Sequence, residues 1–511
     1  GLSIKGKVHN NNGDKELNLL IYNPKTKRNL LNEDLNDINT WVWTDSDLEL
    51  ASLIKEAHAN GLKIVLEVAP DITSNRFFAN LESQKNWYLN NNDMILDLSN
   101  EQTSSYIENS LKKWILGPDM EIKSGIEEDG IDGIKYVYYD DRNKKGLVKI
   151  TDNLKKLKKD LLILGDFSLK LNEDVREGVY DGGTDYNIVN NLIKYTVNDN
   201  SNYKIDGVEF ASKLNEMYNK YTKERFNATQ IYLGSLDTDR IYSGIINSNR
   251  VFDRNNQTNQ GYLNIRPDLY DTNSVNKLKR IISVQMMLPS TPVIYYGDEK
   301  GMWGADSPRN RKPMLWEDYS PYENETDDIS KYRSLLTSLP KNIQIDEVHK
   351  VISYPVSSNS EIENHYRTLL KIRKNYKNLL KNGEFRILEV YSDPKTKSRV
   401  DADIDYYLNE EKRKAKTYQN KDITPDKPNV DFISYEIFDK NKESIIVIIN
   451  NSADSYPVNL LVPKLFGFYK HEMNTKEIYS ISERKISAIL RPYEVKILHS
   501  NDKNIIDSFR K

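Results

Sequence analysis

The chain has 511 residues, with 73 Lys and Arg against 76 Asp and Glu, a formal net charge of -3, six histidines and no cysteine. Such a length holds two or three domains, and the charge balance leaves no field to attract nucleic acid or an anionic membrane. Without cysteine there are no disulfides, no thiolate catalysis and no cysteine-ligated zinc or iron–sulfur centre.

The first two-thirds alternates helix-like and strand-like segments. Leu50, Leu53, Ile54 and Ala57 recur at helical spacing, Asn60-Gly61 supplies a stop, and Lys63 to Val68 reads as a strand. A second helix carries Tyr106, Ile107, Leu111, Trp114 and Ile115, closes at Gly117-Pro118, and precedes a strand from Gly133. The run Lys155 to Lys159 reads as the solvated face of a helix, leading into an apolar strand over Leu161 to Leu164. A helix over Val208 to Tyr221 is followed by a strand near Ile231 to Leu233. Another helix, with Val275, Leu278 and Ile282, stops at Pro289 before a strand over Pro292 to Tyr296. The alternation predicts parallel β/α units whose site lies in the loops at the strand C-termini.

After a helix ending near Gly383 the pattern changes. Ile433, Tyr435 and Ile437 alternate, a polar turn follows at Lys440-Asn441, and then Ile445 to Ile449. With the closing segment Ile486 to Leu498 this predicts a small antiparallel sandwich over 384–511, behind a β/α domain over 1–383. The charged, apolar-poor stretch of about 394–430 reads as an insertion loop. No apolar run approaches the roughly 18–20 residues of a membrane helix, and the sequence as given opens with no signal-peptide pattern.

The segment Pro289-Ser-Thr-Pro-Val-Ile-Tyr-Tyr-Gly-Asp-Glu-Lys-Gly301, continued by Met302-Trp-Gly-Ala-Asp-Ser-Pro308 and Arg311-Lys-Pro-Met-Leu-Trp316, resembles the last barrel strand and its loop in the α-amylase family of glycoside hydrolases. The continuation is similar to the neopullulanase and cyclomaltodextrinase branch. The resemblance extends to Leu19–Pro24 as a second strand, Lys63–Ser74 as a third, Leu96–Ser99 as the motif ending domain B, Gly130–Gly133 as the start of a fourth strand, Leu162–Phe167 as a fifth and Gly234–Arg240 as a seventh. It implies a (β/α)8 TIM-type barrel followed by a C-terminal antiparallel β-sandwich. The first helix is expected to be shortened or missing, and domain B, about 75–96, is reduced. A domain B so short does not carry the family's calcium site, so no metal and no cofactor is expected.

Retaining glycosidases need two carboxyl groups about 5–5.5 Å apart, one as nucleophile and one as acid/base. In this family a third carboxylate and two histidines hold the sugar, and an arginine accompanies the nucleophile. On the resemblance, the third-strand Asp-x-x-x-Asn-His is here Glu67-Val-Ala-Pro-Asp71-Ile72, and the fourth-strand Arg-x-Asp is Lys135-Tyr-Val137. Valine cannot form a glycosyl ester, and Lys135 lacks a guanidinium fork. The acid/base Gly-Glu is Gly165-Asp166, one methylene shorter, and the seventh-strand His-Asp is Leu236-Asp237. Both histidine positions are therefore aliphatic, and the vestigial catalytic positions are Val137, Asp166 and Asp237.

Ile72, Val137 and Leu236 are expected to form a pocket dried out by packing. Glu67 and Asp71 are expected to pair with basic neighbours such as Lys135, and Asp140 or Asp141 is the fallback nucleophile. Asp298, Glu299, Arg309, Arg311 and Lys312 are read as structural, as is His58; the other histidines, His9, His349, His365, His471 and His499, show no metal spacing. The resulting expectation is a catalytically inactive barrel serving as a binding or scaffold module, with a glycan or a protein as partner. The alternatives are a hydrolase or transferase on α-glucans using Asp166 and Asp237 with water as nucleophile, and a structural protein of a cell-envelope or filament assembly. An exported or cell-envelope setting is favoured over the cytoplasm, and nothing in the sequence sets the oligomeric state.

Overall fold

The computed structural model describes residues 43–72, 86–89, 95–122, 128–168, 171–197, 202–248, 271–305, 309–314, 359–388, 432–440 and 443–500, with a few shorter pieces. The chain forms two compact units, 1–185 and 186–511.

In the first unit, α1 (Asp45–Ala59) starts in a capping box: Thr44 Oγ1 accepts from the Asp47 amide, and Asp47 Oδ2 accepts from the Thr44 amide. There follow β1 (Val65–Val68), α2 (Glu101–Leu116), β2 (Gly133–Tyr136), α3 (Lys144–Leu157), β3 (Leu162–Ser168), α4 (Leu171–Arg176) and β4 (Gly182–Asp185). The four strands are parallel and lie in chain order. Ile134, Tyr136 and Ile163 pack with Trp114, Leu147 and Ile150 in one apolar core, so α2 and α3 owe their place to their buried stripes. At Gly133 the strands approach so closely that a Cβ would stand 2.6 Å from the Leu162 carbonyl oxygen.

The second unit opens with α5 (Tyr186–Thr196), α6 (Gly207–Lys220), α7 (Lys223–Asn227), β5 (Thr229–Tyr232), α8 (Ile241–Ile246), α9 (Thr272–Met287) and β6 (Thr291–Val293), the two strands pairing in parallel. Helices α10 (Ser360–Asn375) and α11 (Lys377–Asn382) lead into the sandwich. Its strands are β7 (Glu384–Leu388), β8 (Val390–Ser392), β9 (Lys416–Tyr418), β10 (Phe432–Phe438), β11 (Ser444–Asn450), β12 (Tyr456–Leu461), β13 (Gly467–His471), β14 (Ile478–Ile481), β15 (Lys485–Leu490) and β16 (Val495–Ser500). One sheet runs β7-β10-β11-β16-β13-β14 and the other β9-β8-β12-β15, antiparallel throughout. Ile446, Ile448 and Leu498 of the first meet Val458, Ile486 and Leu490 of the second. The outer face of the first sheet is covered in turn: α6 touches β10 and α9 touches β11, and every residue of β11 is buried. That is why Ile445 to Ile449 reads as a continuous apolar run.

The expected helices and the parallel and antiparallel strands are present, with differences. The closing segment 486–498 falls in two strands, β15 and β16, joined by a turn. Strand β4, helix α5 and strands β12 to β14 carry no expectation from the sequence, nor does the three-stranded antiparallel sheet of Tyr322–Thr326, Gln344–Asp346 and Val351–Pro355. Of the expected second barrel strand only Tyr22–Asn23 is described, and it pairs antiparallel with Arg28–Asn29. The body of domain B, most of the 394–430 insertion and His349 lie outside the described residues. No helix among the described residues is long and apolar enough to cross a membrane.

Candidate functional site

The C-terminal ends of β1, β2 and β3 bring Glu67, Lys135 and Asp166 together through the parallel register that pairs Glu67 with Lys135 and Lys135 with Leu164. Lys135 Nζ stands 2.9 Å from Glu67 Oε1 and 2.9 Å from Asp166 Oδ1. The ammonium and Asp166 are both under a tenth exposed, whereas Glu67 is nearly half exposed. An ion pair at such burial is held by geometry, because each partner has given up its hydration. Two residues on, Val137 extends the strand, its amide donating to the Val68 carbonyl at 3.1 Å, and its side chain is half-buried.

Asp71 does something else. It is fully buried, and its Oδ2 accepts from Asn143 Nδ2 and from the Asp140 amide, both at 2.8 Å. Asn143 also donates to the Leu96 carbonyl and accepts from the Leu98 amide, tying the loop after β1 to the motif 96–99 and to the turn before α3. Burial raises the Asp71 pKa, the Asn143 hydrogen bond opposing it. The expectation that Asp71 pairs with a basic neighbour such as Lys135 is thus corrected: only Glu67 does, because Asp71 faces amide donors. Sequence reasoning passed over Asn143, which no motif marks. Asp140 caps the short 141–143 turn, accepting from the Arg142 amide and pairing with its guanidinium, which holds its carboxyl below the usual range.

Ile72 is 40% exposed and Leu236 is 42% exposed. The expected plug of packed aliphatic side chains is therefore corrected as well: both residues present apolar surface to solvent. Tyr138, beside Val137, is exposed too.

In the second unit, Asp237 is half exposed and lies 3.4 Å from Arg311, whose Nε donates to the Leu236 carbonyl. Asn310 Nδ2 reaches the carbonyls of Leu236 and Thr238, fixing the loop after β5. Beneath it, Arg240 is buried between the rings of Tyr295 and Tyr296 and donates to Asp298 Oδ1 at 3.1 Å. Burial raises the Asp298 pKa against the pull of that guanidinium. Lys312 Nζ sits 3.2 Å from the centre of the Trp303 ring.

Among the described residues one group has the composition of a metal centre: His58, Glu128 and Asp132 offer ligand atoms within 4.8 Å of one another. Cations already occupy it. Lys63 reaches Asp132 at 3.0 Å, and Lys158 pairs with Glu128. His58 Nδ1 donates to the Glu128 carbonyl at 2.7 Å, leaving Nε2 2.8 Å from Asp132. Burial works to lower the His58 pKa, but the bonds to Asp132 and Glu128 outweigh it and raise it. The group ties α1 to β2, a structural part.

The family described as alpha amylase, catalytic domain, matches residues 118–383, which is more than half of the sequence. The chain belongs to the α-amylase family. Among curated relatives, the amylopullulanase of Thermoanaerobacterium thermosulfurigenes is 26% identical over 365 residues, covering 61% of this chain and 18% of that protein. Alpha-amylase 3 of Dictyoglomus thermophilum is 24% identical over 381 residues, covering 66% of this chain and 65% of that protein. Neopullulanase 2 of Thermoactinomyces vulgaris is 32% identical over 120 residues, 22% of this chain and 19% of that protein. The chain thus spans less than two-thirds of the length of these relatives. Among solved structures, a cyclomaltodextrinase superposes with a TM-score of 0.60 at 16% identity, over 94% of this chain and 67% of its own. The α-amylase of Anoxybacillus gives 0.59 at 15% identity, over 91% and 81%. At such identities the likeness speaks for the fold, a TIM-type α-amylase barrel with a C-terminal β-sandwich, in agreement with the expectation from sequence.

Proposed function

We propose that this chain is a non-catalytic member of the α-amylase family, its barrel retained as a binding or scaffold module for a glycan or protein partner. The observation that carries the reading is the Glu67–Lys135–Asp166 grouping beside Val137. The acid/base position is committed to an internal cation, and the nucleophile position has no atom able to attack an anomeric carbon. Loss of a nucleophile alone removes about 10⁴–10⁶ in rate. The exposed Ile72 and Tyr138, both in the first unit, support a contact surface in place of a sugar-gripping one.

The test is an assay of the pure chain on starch, pullulan, cyclodextrins and 4-nitrophenyl maltoside, followed by a glycan array. The expected result is no turnover above background. Turnover that disappears in Asp166→Ala overturns the proposal in favour of an Asp166/Asp237 hydrolase, and the array separates glycan binding from a purely protein-directed scaffold.

A further inference from the structure

Wholly within the second unit, a cavity of about 370 Å³ opens between one face of α9, His365 of α10 and two turns of the sandwich. Its volume falls in the range of about 300–1,000 Å³ typical of small-molecule sites. Helix α9 contributes Asn276, Lys279, Arg280 and Ser283, spaced to share one face. The turns contribute His471, Asn474 and Glu477 on one side and Arg491, Tyr493 and Glu494 on the other.

The charges at this cavity are unequal in what they leave available. Lys496 Nζ bridges the two lining carboxylates, at 2.9 Å from Glu477 and 3.0 Å from Glu494, and offsets one of their two charges. Lys279 is shared with Glu361, at 2.5 Å. Among the described residues the Arg491 guanidinium has no ion-pair partner. Its backbone is fixed all the same: the Arg491 amide donates to Glu494 Oε2 at 2.7 Å and the Glu494 amide donates to the Arg491 carbonyl at 3.1 Å. Tyr493, inside that turn, takes φ +58°, a conformation a bulky residue adopts only when its surroundings impose it. The surroundings are the Ser452 carbonyl, which accepts from the Tyr493 amide, and the Arg280 guanidinium 4.9 Å from its ring centre.

Opposite, His471 Nδ1 accepts the amides of Met473 and Asn474, at 3.1 and 2.9 Å, so the ring's proton is on Nε2. Burial lowers the pKa of His471 to about 4, which leaves a neutral N–H donor at neutral pH. The Asn276 amide adds a further donor, and Asn474 Nδ2, which donates to Glu477 Oε1 at 2.7 Å, keeps its second N–H. The lining thus supplies an available guanidinium, an imidazole N–H and carboxamides, and its cations Lys279, Arg280 and Arg491, with Lys496 behind them, outnumber its two carboxylates.

We propose that this cavity binds a small organic anion of monosaccharide size, a phosphate ester or a carboxylate, whose charged group meets Arg491 and whose hydroxyls meet His471, Asn276 and Asn474. The inference is independent of the proposed function, since it uses no residue of the strand-end positions. Calorimetric titration of the full chain at neutral pH and low salt tests it, using D-glucose 6-phosphate, D-glucuronate, inorganic phosphate and D-glucose as probes. Saturable binding of the hexose phosphate or the hexuronate, weakened at least tenfold in Arg491→Gln and absent for glucose, supports the site; which of the two binds names the charged group. Arg491 is exposed, so circular dichroism of the variant should match the parent. No binding below about 10 mM, binding of inorganic phosphate alone, glucose binding equal to the anions, or unchanged affinity in Arg491→Gln each overturns it.

Discussion

Lys135 is the residue on which the polar grouping at the ends of β1, β2 and β3 turns. Its ammonium is buried between Asp166 and Glu67, and removing one member of a buried ion pair leaves a charge with neither water nor partner. Lys135→Met is therefore expected to destabilise the fold by about 3–5 kcal/mol. Lys135→Met combined with Asp166→Leu should recover most of that loss, a coupling that urea denaturation of the two single variants and the double variant measures. Additive losses would mean that the pair is not a stability element. The sequence shows that position 135 carries a lysine and position 137 a valine, yet it does not show that Lys135 reaches Asp166, because that contact spans 31 residues and depends on strand register. Nor does it show that Ile72 and Leu236 are exposed. Aliphatic replacements are read as packing by default, and only the accessible surface shows them facing solvent.

Long helices with apolar stripes were legible because burial writes a period into the sequence, as in α1, α2 and α9, and β11 was legible as an unbroken β-branched run buried on both faces. Strand β4 was not, since Gly182-Gly-Thr-Asp185 is buried without a single large apolar residue, and its Gly-rich texture imitates a turn. Glycine also fixes element contacts. A Cβ on Gly130 would lie 2.0 Å from the Ile115 carbonyl oxygen, so the chain entering β2 passes directly against the end of α2. Gly130→Ala should cost about 1–3 kcal/mol through backbone displacement, read as a lowered urea midpoint. A parent-like midpoint would show that the two elements can separate freely. Between α10 and the sandwich, His365 and His471 are buried with pKa values lowered to about 4 from 6.5, in each case by burial foremost. Their unfolded forms bind protons more readily, so the stability they contribute is complete above pH 6.5 and is lost as pH falls toward 4. The urea midpoint should drop between pH 7 and pH 4.5, and drop less in His365→Gln. An equal drop in both proteins would assign the acid sensitivity to other groups.

At the scale of the whole chain, the barrel and sandwich were legible because each strand-end motif is short, local and rigidly spaced, whereas the polar ties that hold them, such as Asp71 to Asn143 across 72 residues, leave no local mark. If the chain is non-catalytic, as proposed, the same separation governs what it would take to restore hydrolysis. On the resemblance, the family's nucleophile, the guanidinium beside it, its longer acid/base and its two histidines correspond to Val137, Lys135, Asp166, Ile72 and Leu236. Groups that act as one unit are strongly non-additive, so restoring a single member recovers little of what the set supplies. Val137→Asp alone also places a second carboxyl near Asp166 without the guanidinium that would balance it. Release of 4-nitrophenol from 4-nitrophenyl maltoside by Val137→Asp is accordingly expected to stay at background. Any turnover is expected only when Ile72→His, Lys135→Arg, Asp166→Glu and Leu236→His accompany it. Clear activity in the single variant would mean that the remaining positions are already competent and that the valine alone silences the barrel.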